Sequence, residues 1–377
     1  MIGKHFDLSK SRVCAFLNRN DMIKAKQYIS THPFTRISKH KKVFTTPVSF
    51  HDATSDPTQF EPLDPEHIVG MNLKPIWSTH WFRLELDALP TTYDPTSCEL
   101  HLLWASNGEA LLYSSDGVPL NSFTGVDGEK QRDSHPLHCH PQTSHNLPLV
   151  FYLEAVCSGI DGNTTSWPCG PEAPNPERSY TISKCGLGVL DRVAHELLLD
   201  LGVLYDLACH LPKGSQAAHS CLDAADRAIN AVRIEDRGTY AKAREITKAC
   251  FGELERWADR SPMTHRIFAV GNCHIDTAWL WPYSETRRKC CRSWVAQLRI
   301  AEECPGYTFA ISQAQQLKWL KADYPDVFEQ VKRAVAVGGA NKSRFSIVGS
   351  TWVEMDCNIP SGESLVRQFL YGQRFIS

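Results

Sequence analysis

The sequence predicts a multi-domain protein of mixed α+β and α/β class. An antiparallel β-sandwich comes first, a helical connector next, and a parallel βα domain last. Three observations carry this. Short aromatic and aliphatic runs, separated by turn residues, fill residues 76–185. Apolar residues at three- and four-residue spacing follow from about residue 188. From residue 266 the pattern alternates strand, helix, strand, helix, strand.

Residues 1–75 form a lead-in rich in polar and turn residues. Its first stretch, MIGKHFDLSKSRVCAFLNRN, lacks the apolar core of a signal peptide and reads as basic and partly helical. In 76–185 the runs HWFRLEL, CELHLLW, EALLYSS and LPLVFYLEAV have strand character. Asp116-Gly117 and Asp127-Gly128 are hairpin or turn signals between them. The Pro-, Gly- and Ser-rich stretch 161–179 reads as a long loop. Residues 186–262 form the connector. DRVAHELLLDLGVLYDLACHL is one helix, with others near 215–233 and 238–258.

The last segment, 263–377, starts with RIFAVGN as a short strand and TRRKCCRSWVAQLRIAEE as a helix. YTFAIS, DVFEQVKRAV and RFSIV continue the alternation. Such an order implies parallel strands joined by right-handed crossovers, with functional residues at the carboxyl ends.

Bulk properties exclude several classes. The chain of 377 residues is long enough for two or three domains. A net charge of −2 and a pI of about 6.8 offer nothing to a nucleic acid or an anionic membrane surface. No stretch approaches the roughly 20 apolar residues of a membrane span. The 14 cysteines include no C-x-x-C pair, which argues against a zinc ribbon and a disulfide scaffold. Reduced thiols in the cytoplasm are expected. The N-x-S/T sequons at Asn163 and Asn341 read as chance matches without a secretory signal.

The chemistry concentrates in GNCHIDTAWLWPYSET, 271–286. Residues two apart in an extended segment point the same way, so His274 and Asp276 can converge on one point. An imidazole nitrogen and a carboxylate oxygen make half of a zinc or similar divalent site. The competing reading is a hydrogen-bonded histidine beside a helix-capping carboxylate. Trp279 and Trp281 suit the apolar face of a sugar ring, although a core role fits one of them. Glu354, Asp356 and Glu363 follow the third strand. They are candidates for glycosidic acid–base work, and also for pocket walls, turn caps and salt bridges. Gln313 and Gln315 can bond a substrate or cap the next helix. His138-Cys139-His140 has metal-like spacing but reads as a surface accident. Arg287, Arg288 and Lys289 read as a solvated helix face.

Taken together, the blocks GNCHIDTAWLWPYSETRRKC, SQAQQLKWLKADYPDVFEQVK and VGSTWVEMDCNIPSGESLVRQFLYGQRF resemble the class II α-mannosidases, glycoside hydrolase family 38, in its cytosolic and vacuolar branch. HWFRLEL, GEALLYSSDGVPLNSFTGVDGEKQR and SYTISK resemble that branch's N-terminal β domain. The resemblance implies that 263–377 is the start of a (β/α) barrel-like catalytic domain, incomplete in this chain. It implies a retaining, zinc-dependent hydrolase acting on mannose-containing oligosaccharides, in the cytoplasm or the vacuole. His274 and Asp276 match the first two Zn2+ ligands, and Trp279 matches the tryptophan stacked on the mannose ring.

Three departures from the family pattern bear on activity. The nucleophilic aspartate of the family, in a D-x-F-G type segment after QFLYGQRF, has no match before Ser377. The remaining ligands and the acid/base carboxylate are expected further on still. Residues 335–343 read as an insertion, and Cys357 stands where relatives usually have glycine, so a strained turn is expected there. The chain alone is therefore expected to be inactive. A homo-oligomer stays open, since a partial barrel exposes a strand edge and apolar faces. The alternatives are another metal-dependent hydrolase, using His274 and Asp276 with Glu354 or Asp356, and a carbohydrate-binding or assembly module without catalysis.

Overall fold

The computed structural model describes residues 2–18, 27–46, 48–124, 132–137, 147–158, 179–212, 214–260, 267–279, 281–304, 306–336 and 345–376. Helix α1 (Ile2–Asn18) comes first. Strands β1 (Tyr28–His32) and β2 (Arg36–His40), helix α2 (Phe50–Thr54), and strands β3 (Phe60–Leu63) and β4 (Asn72–Leu73) follow. The β-rich region continues with β5 (Thr79–Leu86), β6 (Cys98–Ala105), β7 (Ala110–Ser114), β8 (Pro119–Phe123), β9 (Ser134–Pro136), β10 (Leu149–Val156), β11 (Tyr180–Thr181) and β12 (Lys184–Asp191).

Two sheets face each other. One runs β1-β12-β6-β9 and the other β3-β2-β5-β10-β7-β8. All their strand pairs are antiparallel. Asp116-Gly117 makes the β7–β8 turn, where Gly117 takes φ +85°. Side chains alternate along β5. Phe82, Leu84 and Leu86 join Leu102, Trp104, Leu187 and Val189 in the core between the sheets. Trp81 points the other way, into a second core shared with the C-terminal region. The six-stranded sheet is thus covered on both faces. This explains why β5 and β7 are buried almost throughout. Each such buried large side chain contributes roughly 1.5–3 kcal/mol.

Strands β1, β2 and β3 come from before residue 76 and pair into both sheets, so the lead-in is partly sheet. Their polar composition hid this, because only positions such as Ile37 turn inward. The last strand, β12, also runs past residue 185, to Asp191.

Helices α3 (Arg192–His210), α4 (Gln216–Ala231) and α5 (Gly238–Arg260) lie close to the stretches that helical periodicity marks. Asp191 and Ser215 cap α3 and α4 by accepting from Ala194 and Ala218 N–H. Val13 and Phe16 of α1 join Leu197, Leu201, Leu204, Ala225 and Tyr240 in a third core, making a four-helix cluster.

Strand β13 (Gly271–Asn272), helix α6 (Tyr283–Glu303), strand β14 (Phe309–Gln313), helices α7 (Ala314–Asp323) and α8 (Pro325–Ala336), strand β15 (Phe345–Thr351) and helix α9 (Gly362–Ile376) complete the described chain. The sheet runs β13-β14-β15, all parallel. Helix α7, unmarked in the sequence reading, covers QQLKWLKAD. The run RIFAVGN departs from expectation. Among its described residues only Gly271 and Asn272 pair, while Ile267 and Phe268 are 94% and 84% exposed. Among the described residues β13 has a neighbour on one side only, so nothing there covers the apolar run.

The sequon at Asn163, the sequon at Asn341, the 161–178 stretch, His138-Cys139-His140, Asp127-Gly128 and residues 337–343 lie outside the described residues. No described helix is long and apolar enough to cross a membrane.

Candidate functional site

The carboxyl ends of the three parallel strands form one rim. The chain leaves β13 through Cys273 and delivers His274 and Asp276 beyond it. His274 Nε2 lies 3.0 Å from Asp276 Oδ1, and both side chains are about half exposed. The predicted convergence is present. Asp276 does not cap the following helix. Helix α6 starts at Tyr283 after Pro282, which makes no side-chain cap bond.

Glu354, beyond the end of β15, reaches the other nitrogen. His274 Nδ1 is hydrogen-bonded to Glu354 Oε2. The imidazole therefore sits between two carboxylates. Its pKa is raised, chiefly by the Glu354 hydrogen bond, with burial opposing and Asp276 adding. Because the carboxylates face opposite ring edges, the three groups do not close on one point. Among the described residues no group of three or more His, Cys, Asp or Glu is arranged to hold a metal ion. His274 Nε2 and Asp276 Oδ1 nonetheless offer two adjacent donors of the right chemistry for a divalent cation, and they fit half of such a site.

The loop between the ligand pair and α6 is held by Thr286. Its hydroxyl oxygen accepts from Ala278 N–H at 3.1 Å and from Trp281 Nε1–H at 3.0 Å. Ala278 has φ +58°, an uncommon conformation for a residue with a Cβ. Trp281 is partly buried, and Lys289 Nζ lies 4.9 Å from its ring centre. Trp279 remains 47% exposed and meets Trp281 edge-to-face, with centroids 5.3 Å apart. One tryptophan is thus structural and the other offers a free ring face.

The remaining candidates separate cleanly. Gln313 is buried and ties three strand ends together. Its Nε2 donates to Ile275 O and Glu354 Oε2, and its Oε1 accepts from Glu354 N–H. It makes no side-chain cap bond for α7. Gln315 Oε1 accepts from Trp352 Nε1–H. Asp356 caps a turn at Asn358 N–H, and Glu363 pairs with Arg367 one turn along α9. Cys357 is exposed and is not among the positive-φ residues, so the expected strain is absent. Gly372 lets α9 lie against the end of β15, since a Cβ there would meet Ser350 O at 2.0 Å. From that position Gln368 accepts from Trp352 and Val353 N–H.

The basic run is not a solvated face. Arg288 is 1% exposed and Lys289 is buried, because this side of α6 packs on the six-stranded sheet. Glu285, 0% exposed, accepts from Arg288 and Arg292, and Glu109 accepts from Lys289 and Arg292. Burial alone would raise the Glu109 pKa, but Arg292 and Lys289 outweigh it and hold it low. The signal was legible in principle. Glu285, Arg288 and Arg292 are spaced three and four apart, on one face of a helix.

Residues 264–377 match the glycosyl hydrolases family 38 N-terminal domain, and residues 32–188 match the α-mannosidase jelly roll domain. The chain belongs to glycoside hydrolase family 38, the class II α-mannosidases. It is similar to alpha-mannosidase 2C1 of Homo sapiens, 39% identical over 307 residues, which is 81% of this chain and 28% of the relative. Alpha-mannosidase G of Dictyostelium discoideum is 32% identical over 372 residues, 99% of this chain and 32% of the relative. An alpha-mannosidase of Saccharomyces cerevisiae is 35% identical over 314 residues, 81% of this chain and 28% of the relative. The chain thus spans less than a third of the length of these relatives.

Proposed function

We propose that this chain supplies the metal-binding rim of a retaining α-mannosidase that removes terminal α-mannose from oligosaccharides. The observation that carries this reading is the 3.0 Å approach of His274 Nε2 to Asp276 Oδ1, in the same loop as the exposed ring of Trp279. In this reading His274 and Asp276 hold one Zn2+, and Trp279 stacks on the sugar. Bound zinc would supply positive charge for sugar hydroxyls and for charge developing in the transition state. Asp276 contributes the anionic oxygen, His274 the neutral nitrogen, and Thr286 keeps the loop that carries Trp279 in place.

The parallel β13-β14-β15 sheet is the start of a barrel-like catalytic domain, and the nucleophile and acid/base carboxylate belong to parts of the relatives' length that this chain does not span. The chain alone is accordingly inactive. Its compartment is the cytoplasm, with the vacuole the second one open to this branch. The purified 377-residue chain, supplied with zinc, is expected to show no turnover of an aryl α-mannoside. Turnover matching that of the longer relatives would overturn the division of labour proposed here.

A further inference from the structure

We propose that Glu354 is a positioning residue for a metal ion held by His274 and Asp276. It holds the Nδ1–H edge of His274, so that the ring stays oriented with Nε2 towards the metal when Nε2 gives up its proton. The inference rests on the metal-site reading above.

A neutral imidazole has one N–H and one lone pair, and a carboxylate can only accept. The nitrogen bonded to Glu354 is Nδ1, so Nδ1 must carry hydrogen. Asp276 Oδ1, 3.0 Å from Nε2, likewise only accepts, so in the metal-free ring Nε2 carries hydrogen too. A metal ion taken up between Nε2 and Asp276 would displace that proton, while Glu354 keeps the one on Nδ1. Both donor atoms of the proposed site then face the same space. Histidine ligands of metals generally donate their second N–H to such a partner, which orients the ring and raises its basicity.

Glu354 is itself held in place. Its backbone N–H donates to Gln313 Oε1 at 3.2 Å, and Gln313 Nε2 donates back to Glu354 Oε2 at 3.4 Å. The same Nε2 lies 3.5 Å from the carbonyl of Ile275, the residue between the two proposed ligands. Gln313 is buried at the end of β14. The carboxylate is thus locked on the Nδ1 side of the ring, opposite Asp276, where it supports the ligand and does not coordinate.

The test is zinc affinity of the full 377-residue chain, measured by competition with a chelating dye. Glu354→Ala should bind zinc roughly 10–100-fold more weakly than wild type. Glu354→Gln should recover much of the loss, because its amide oxygen still accepts from Nδ1–H. Melting temperatures of the three metal-free proteins should agree. The imidazole 15N signals of the zinc-loaded form should lose their hydrogen-bonded Nδ1–H signature in the alanine variant only. Wild-type binding with unchanged affinity in Glu354→Ala would refute the positioning role and leave the metal site standing. Equal weakening in both variants, with a lowered melting temperature in both, would reduce Glu354 to a structural residue. A wild-type chain that takes up no zinc would remove the metal-site reading, and this inference with it.

Discussion

Ser158 Oγ donates to Glu285 Oε1 at 2.8 Å, joining the segment just after strand β10 to the first turn of helix α6 across 127 residues of sequence. Both groups are buried. Glu285 is the hub of the seam, because Arg288 and Arg292 converge on the same carboxylate.

Removing that hub should be costly. Glu285→Ala leaves two buried guanidinium groups undercompensated, and breaking such a pair typically destabilises by about 3–5 kcal/mol. Urea denaturation should show a loss of that order. A loss below about 1 kcal/mol would mean that water relaxes into the seam and the network is unimportant.

The two tryptophans of the loop should behave differently. Trp281→Ala should cost about 2 kcal/mol, since the ring is partly buried and its Nε1–H is bonded to Thr286. Trp279→Ala should leave stability nearly unchanged and weaken binding of a mannoside in any mannosidase assembled with this rim. Calorimetric melting separates the two. Equal destabilisation by both variants would argue that Trp279 is a packing residue.

Metal should stabilise the folded chain. Zinc at about 100 times its dissociation constant would add about 2.7 kcal/mol. A chelator should reverse the gain, and the double variant His274→Ala, Asp276→Ala should abolish it. A zinc-induced rise in melting temperature that survives the double variant would place the ion elsewhere.

His80 gives a pH dependence with a definite sign. Burial, helped by Lys39, lowers its pKa from 6.5 to about 4. Between these values the unfolded chain binds a proton and the folded one does not. Stability therefore falls as pH drops from about 6.5 towards 4, by up to about 3 kcal/mol. His80→Gln should show a shallower decline than wild type in denaturation at pH 7, 5.5 and 4.5. Parallel declines would mean that the ring gains water or a partner on protonation.

An exposed apolar surface should limit solubility. Val366, Phe369, Leu370 and Tyr371 of α9 are exposed, as are Ile267, Phe268 and Val270. Such surfaces favour association. Light scattering should detect self-association that Phe369→Asp reduces. An unchanged size distribution would clear α9 of that role.

Much of this protein was legible in local pattern. Hairpin turn chemistry marked Asp116-Gly117, apolar spacing marked α3 to α5, and strand geometry placed His274 beside Asp276, since residues two apart on an extended chain share a side. The family blocks added the zinc and mannose reading. The meeting of His274 with Glu354, 80 residues apart, was beyond that reach. So were the burial of Arg288 against the sheet, the recruitment of β1 to β3 from a polar lead-in, and the exposure of Ile267 and Phe268 in a run that reads as a short strand. Local geometry is set by backbone sterics within a few residues, and the sequence states it directly. Which charges are desolvated, and which apolar runs find a cover, depends on what the folded chain brings against them, and only the tertiary structure decides that.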